Sequence, residues 1–250
     1  KFLWLSKNEH AVHSPFVFTL ITKCFYDNKA KKEYAILKTY RKSLLENKNT
    51  IEVTDFGAGS KVFKSNTREI SKIAQTAGIS VKRAELLFRV TSYFQPKNIL
   101  ELGTSLGLAT AALSLGNRNA KIITVEGCAN TLAVAKNLLE TNTSATVEFI
   151  NTEFETFFKN NSFTTVFFDL IYFDGNHQKQ ATLDYFDKML PSITNDSVWI
   201  FDDIHWSQEM EEAWELIQSH PKVTVTIDTF QWGFVFFRQE QPKEHFIIRV

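Results

Sequence analysis

Apolar and polar positions change their rhythm near residue 95. Before it, apolar residues recur at helical spacing: Phe16, Val17 and Leu20 form one face, and Ala84, Leu86, Leu87 and Val90 another within 79–94. Ser14 and Pro15 read as the cap and first position of a helix, and Gln95-Pro96-Lys97 closes the second one. Beyond residue 95, short apolar runs alternate with helical stretches. Strands are expected at 99–102, 121–125, 147–150, 165–173 and 198–201, and helices at 109–115, 130–140, 154–159, 182–190 and 207–219. Two last strands, 223–228 and 234–238, flank a turn at Gln231-Trp232-Gly233 that is too short for a crossover, so they run antiparallel. The pattern predicts an α/β fold: a doubly wound, mostly parallel sheet with one reversed strand near an edge. A helical N-terminal extension, 1–95, precedes the sheet domain at 96–250.

Composition narrows the class. The 250 residues suffice for one large domain or a domain with an extension. Formal net charge is zero, which removes any whole-molecule argument for nucleic acid. Residues 1–50 are locally basic, with ten Lys and Arg against four acids, but their spacing fits a solvated helix face. The 23 Phe are core material first and pocket walls second. Cys24 and Cys128 are too few and too far apart for a disulfide framework or a cysteine metal site, which points to a reducing, cytoplasmic setting. Lys1-Phe2-Leu3-Trp4-Leu5 has no long apolar run behind it, so neither a secretory signal nor a membrane span is expected. The first residue is not Met, as at a trimmed start.

Candidate chemistry gathers at the ends of the expected strands. Ile99 to Thr110 reads as a buried strand, a tight loop with Gly103 and Gly107, and a helix start. Ser105 breaks the Gly-x-Gly-x-x-Gly spacing of dinucleotide binders. In an open parallel sheet, ligands bind beyond the carboxyl ends of the strands. Glu126, Asp174, Asp202 and Asp203 mark three such ends. Glu126 lies about 20 residues past the glycine loop, where an acid accepts hydrogen bonds from ribose hydroxyls. Asp174, Asp202 and Asp203 converge if their strands are neighbours, and then call for a hard divalent cation such as Mg²⁺. The plainer role for Asp203 is as a helix cap. His177 and His205 are candidate bases; His10 and His13 read as capping or surface residues. Trp206 and Trp232 are candidate walls for a flat substrate. The Asp55–Lys61 loop is either a flexible connection or a lid segment, and Lys72 and Gln75 lie on the polar face of the helix that follows it.

Leu100-Glu101-Leu102-Gly103-Thr104-Ser105-Leu106-Gly107, Val125-Glu126-Gly127, Ile171 to His177 and Ile200 to Ile204 together resemble the class I S-adenosylmethionine-dependent methyltransferases. The resemblance is closest to the catechol O-methyltransferase-like small-molecule O-methyltransferases and covers roughly residues 79–238. It implies a seven-stranded sheet with one antiparallel strand. It also implies S-adenosylmethionine binding by Glu101, Gly103, Thr104, Ser105, Gly107, Glu126, Gly127, Glu153, Phe154 and Asp174, with Asn151 to Phe154 near the adenine. Asp174, Asp202 and Asp203 fall on the family's metal positions, although its third ligand is more often Asn. His177 falls where the family usually carries a catalytic Lys, and the catalytic expectation here is His177 with Asp174. The expected reaction is metal-assisted O-methylation of a small hydroxylated molecule. The alternatives are a nucleic-acid or protein methyltransferase and a non-catalytic cofactor-binding module. The expected partners are a small-molecule substrate and a second copy in a homodimer, with neither nucleic acid nor membrane.

Overall fold

The computed structural model describes residues 2, 6, 8, 9, 12–56, 65–143, 145–160 and 167–250. Helix α1 (Pro15–Leu20) begins at the expected cap: the Ser14 hydroxyl accepts from the Val17 amide and Pro15 takes the first turn. It runs on into a π-helical turn, Ile21–Phe25. Next come α2 (Lys32–Glu46), an antiparallel pair of three-residue strands, β1 (Thr50–Glu52) and β2 (Thr67–Glu69), α3 (Ile70–Thr76) and α4 (Val81–Phe94). The β1–β2 pair corrects the all-helical reading of 1–95. Both strands are short and largely exposed, so they carry no apolar alternation to betray them. In α4, Ala84, Leu86, Leu87 and Val90 are buried, as their spacing predicts.

The strands and helices then alternate: β3 (Asn98–Leu102), α5 (Leu108–Gly116), β4 (Lys121–Glu126), α6 (Ala129–Asn142), β5 (Thr146–Asn151), α7 (Phe154–Asn160), β6 (Leu170–Phe173), α8 (Lys179–Met189), β7 (Val198–Asp202), α9 (Gln208–Ser219), β8 (Val225–Asp228), β9 (Trp232–Phe236) and β10 (Glu244–Ile247). Their order in the main sheet is β10-β8-β9-β7-β6-β3-β4-β5. Only β9 runs against its neighbours. The mostly parallel α/β sheet is thus as expected, but among the described residues it has eight strands rather than seven, because β10 adds to β8. The reversed strand is third from the β10 edge, between β7 and β8. Trp232 and Gly233 belong to β9 rather than to the turn before it. Of the strand expected at 165–173, residues 165 and 166 lie outside the described residues, and β6 begins at Leu170. Asp169 just before it accepts from the amides of Lys97 (2.7 Å) and Asn98 (2.9 Å), adding a side-chain clasp to its backbone bonds with Asn98 and Val198.

Both faces of the sheet are covered, and strand periodicity sorts the residues. Ile99, Tyr172, Ile200 and Phe234 face one core with Val17, Leu37, Leu87 and Leu113 from α1, α2, α4 and α5. Leu100, Ile171, Phe173, Trp199 and Phe201 face the other, with Phe186 of α8 and Trp214 of α9. The N-terminal helices thereby share a continuous apolar core with the sheet. Chain direction across the sheet reverses between β3 and β6, with β4 and β5 on one side and β7 onward on the other. That is the crevice where open α/β sheets take ligands.

Candidate active site

Parallel register aligns the strand-end residues in one row. Leu102 pairs with Val125 on β4 and with Phe173 on β6, and Phe173 pairs with Phe201 on β7. The next residue of each strand is therefore Gly103, Glu126, Asp174 or Asp202. A cavity of about 290 Å³ opens over this row, lined by Gly103, Ser105, Glu126, Gly127, Asp174 and His177 among others. Glu153, Phe154 and Trp206 also reach it.

The glycine loop is shaped by two contacts. Gly103 has φ +106°, and a Cβ there would lie 2.0 Å from the Asp174 carbonyl oxygen, so the ends of β3 and β6 approach as only glycine permits. Ser105 takes a left-handed φ of +48°, which turns its amide onto Glu126 Oε2 at 2.9 Å. Glu126 Oε1 accepts from the Cys128 amide at 2.9 Å. Asn151 Nδ2 ties the end of β5 to the carbonyls of Glu126 and Gly127. Burial pushes the Glu126 carboxyl above the ordinary glutamate range. Phe56 lies against Gly127 and lines the cavity with Asp55, whereas 57–61 of the Asp55–Lys61 loop fall outside the described residues.

Three expected cofactor residues stand behind the cavity wall. Glu101 is fully buried, and its Oε2 accepts from Thr110 (2.6 Å) and Thr124 (2.5 Å). Burial pushes its carboxyl up to about 7. Thr104 pairs its hydroxyl with that of Thr124. Gly107 packs toward α2 and α6, where a Cβ would meet the Tyr40 hydroxyl at 2.6 Å and Ala135 at 2.9 Å. These residues brace the loop from the far side. A carboxyl whose folded pKa is raised contributes stability below its unfolded value and loses it as pH rises through the folded value. Glu101→Gln should therefore raise the melting temperature relative to the parent above pH about 7. The difference should shrink on acidification, and paired thermal melts across pH read it.

The histidines separate. His177 lines the cavity with Nε2 4.0 Å from Asp174 Oδ1. His205 has both ring nitrogens engaged, Nδ1 with Glu211 and Nε2 with Asp228, each at 2.9 Å. It is a clasp between α9 and β8 and has no nitrogen to spare for a substrate. The Asp228 hydrogen bond leads in raising its pKa above 6.5. The clasp is thus fully stabilising below pH 6.5 and weakens as pH rises through the raised value. His205→Ala should cost most at acidic pH, and the gap between the two melting curves should close as pH rises. His13 is exposed and His10 lies outside the described residues. Trp232 is buried in β9, whereas Trp206 lines the cavity.

Asp174, Asp202 and Asp203 do gather, as their strand ends require: burial and the Asp202 carboxylate push Asp174 well up and raise Asp203 as well. The arrangement around Asp202 does not fit a divalent ion. Its Oδ1 accepts from the Arg83 guanidinium and from the Asp203 amide (2.7 Å), and its Oδ2 accepts from the Tyr172 hydroxyl (2.9 Å). Among the described residues no group of three or more His, Cys, Asp or Glu has a metal-holding arrangement. Arg83 was not a sequence candidate. No motif marks it, and only the packing of α4 on the sheet brings it to the strand ends. Asn176 and Tyr185 were missed as well. Asn176 holds a left-handed φ of +53° and donates to Tyr185 at 3.1 Å on the cavity wall.

Residues 100–204 match a family described as "Methyltransferase domain", a stretch that runs from β3 past β7 and contains this row. The fold of solved methyltransferases extends over nearly all of the chain. The SAH-bound methyltransferase PaMTH1 of Podospora anserina superimposes with a TM-score of 0.62 at 14% identity, covering 91% of this chain and 97% of that one. The O-methyltransferase TomG of Streptomyces achromogenes, involved in tomaymycin synthesis and solved with SAM, gives 0.58 at 15%, covering 89% and 95%. An O-methyltransferase from Bacillus cereus in complex with SAH gives 0.54 at 17%, covering 94% and 98%. At these identities the likeness is one of fold. No curated protein matches the chain at a significant level. Among the described residues, no helix is long and apolar enough to cross a membrane.

Proposed function

We propose that the chain transfers a methyl group from S-adenosylmethionine to a hydroxyl oxygen of a small molecule. The observation that carries this reading is Glu126. A half-buried carboxylate, held by the Ser105 and Cys128 amides, lies at the cavity beside the glycine loop and suits a ribose diol. The solved structures that share the fold and hold SAM or SAH support the same ligand.

When bound, S-adenosylmethionine supplies an electrophilic methyl group on a sulfonium. The chain's own residues do the rest. Glu126 accepts from the ribose hydroxyls, and the loop from Gly103 to Ser105 borders the ligand. Glu153 and Phe154 line the nucleoside side, with Phe154 edge-on to Tyr185. His177 is the base that removes the hydroxyl proton, and Asp174 Oδ1 lies 4.0 Å from its Nε2. No metal step enters, because Asp202 is already engaged on both oxygens.

Calorimetry with S-adenosylhomocysteine, followed by release of that product from S-adenosylmethionine across a panel of small phenols and other hydroxyl compounds, tests the reading. Binding with turnover supports it. Absence of binding overturns it, and binding without turnover across the panel favours a non-catalytic module. With an active substrate, His177→Ala should lower kcat by about 10²–10⁴-fold while leaving cofactor affinity within about twofold.

A further inference from the structure

Three carboxylates at neighbouring strand ends need positive charge among them. We propose that Arg83 is the resident cation of the Asp174–Asp202–Asp203 cluster, and that its guanidinium keeps divalent ions out. Period-two alternation puts Asp202 on the same face of β7 as Ile200, which is the face covered by α4. Arg83 lies in the first turn of α4, where the Ser80 hydroxyl caps the helix by accepting from the Arg83 amide at 3.2 Å. The side chain is thereby held at a defined end of the helix. It reaches Asp202, whose side chain is only 3% exposed. Trp232, the register partner of Asp202 on the reversed strand β9, presents its ring 5.0 Å from the guanidinium carbon. The arginine is therefore fixed from three sides: by a helix cap, a carboxylate and an aromatic face.

The donors are spent in the same arrangement. A hard divalent ion binds through free oxygen lone pairs at short distance. On Asp202 the guanidinium and an amide share one oxygen and the Tyr172 hydroxyl takes the other. A metal would have to displace the arginine from the Asp202 carboxylate and from the Trp232 ring. Arginine keeps its proton at any working pH, so the exclusion does not switch off with pH.

This inference concerns cation binding and can fail or hold apart from the methyl-transfer reading. The test is Mn²⁺ titration of the full chain followed by electron paramagnetic resonance. The parent should leave the free aquo-ion signal undiminished at millimolar Mn²⁺. Arg83→Met should acquire a Mn²⁺ site at least about tenfold tighter than anything in the parent, since the carboxylates then lack a cation. Arg83→Lys should behave like the parent. Stoichiometric Mn²⁺ binding by the parent that is lost in Asp202→Asn would overturn the proposal, as would a folded Arg83→Met protein that gains no site. If Arg83→Met does not fold, the parent and Asp202→Asn titrations decide alone. S-adenosylhomocysteine binding, measured on the same samples, reports separately on the functional reading.

Discussion

Glu126→Ala should weaken S-adenosylhomocysteine binding by about 100-fold or more in calorimetry, provided the cavity takes the nucleoside as proposed. Hydrogen bonds to a charged acceptor contribute about 1.5–3 kcal/mol each, and a ribose diol makes two. The substitution also releases the Ser105 and Cys128 amides, so the loop loses the acceptor that holds its left-handed turn. Glu126→Gln keeps the shape but turns one acceptor into a donor facing a backbone amide, and should fall between the two proteins. Burial raises the Glu126 pKa, so parent affinity should hold at neutral pH and fall on acidification earlier than an ordinary glutamate would dictate. A Glu126→Ala protein that keeps parent affinity would remove the ribose role.

Gly103→Ala should be the most damaging single methyl group at the site. Two costs act together. The backbone at φ +106° is one that residues with a side chain rarely adopt, and the added Cβ would lie 2.0 Å from the Asp174 carbonyl oxygen. That oxygen belongs to the backbone at the end of β6, so it yields only if the strand end moves. Strain of about 1–3 kcal/mol and overpacking of similar size sum to about 2–6 kcal/mol. For a chain of this length that is a fall in melting temperature of about 5–20 °C. Thermal melts of the two proteins read it directly. Gly107→Ala should cost less, because the nearest atom it meets is the Tyr40 hydroxyl, at the end of a side chain. The loss there is mainly the 2.8 Å bond from that hydroxyl to the Leu106 carbonyl.

The difference between these glycines shows where sequence reading runs out. Gly103 and Gly107 look alike along the chain, each in a loop between strand and helix. In the fold one closes the β3–β6 crevice and the other packs against α2 and α6. The two histidines behave similarly. His177 and His205 both follow strand-end acids, yet only His205 falls between two carboxylates on separate elements. The missing strand β10 had little to announce it: four residues, partly exposed, added after the expected last strand.

Alternating apolar runs and helical periodicity determined the α/β class, most element positions and the strand ends at which acids collect. These follow from local rules: a parallel strand buried on both faces is largely apolar, and ligand-facing polar residues gather at its ends. The glycine loop and Glu126 were legible for the same reason, because their spacing within one β-α-β unit is a property of the chain. Only the tertiary structure decided what faces the acids from elsewhere. Arg83 is more than a hundred residues from Asp202, and no spacing rule connects them. The packing of α4 on one face of the sheet, the parity of β7 and the reversed strand carrying Trp232 together set a guanidinium where the carboxylates alone had called for a metal ion.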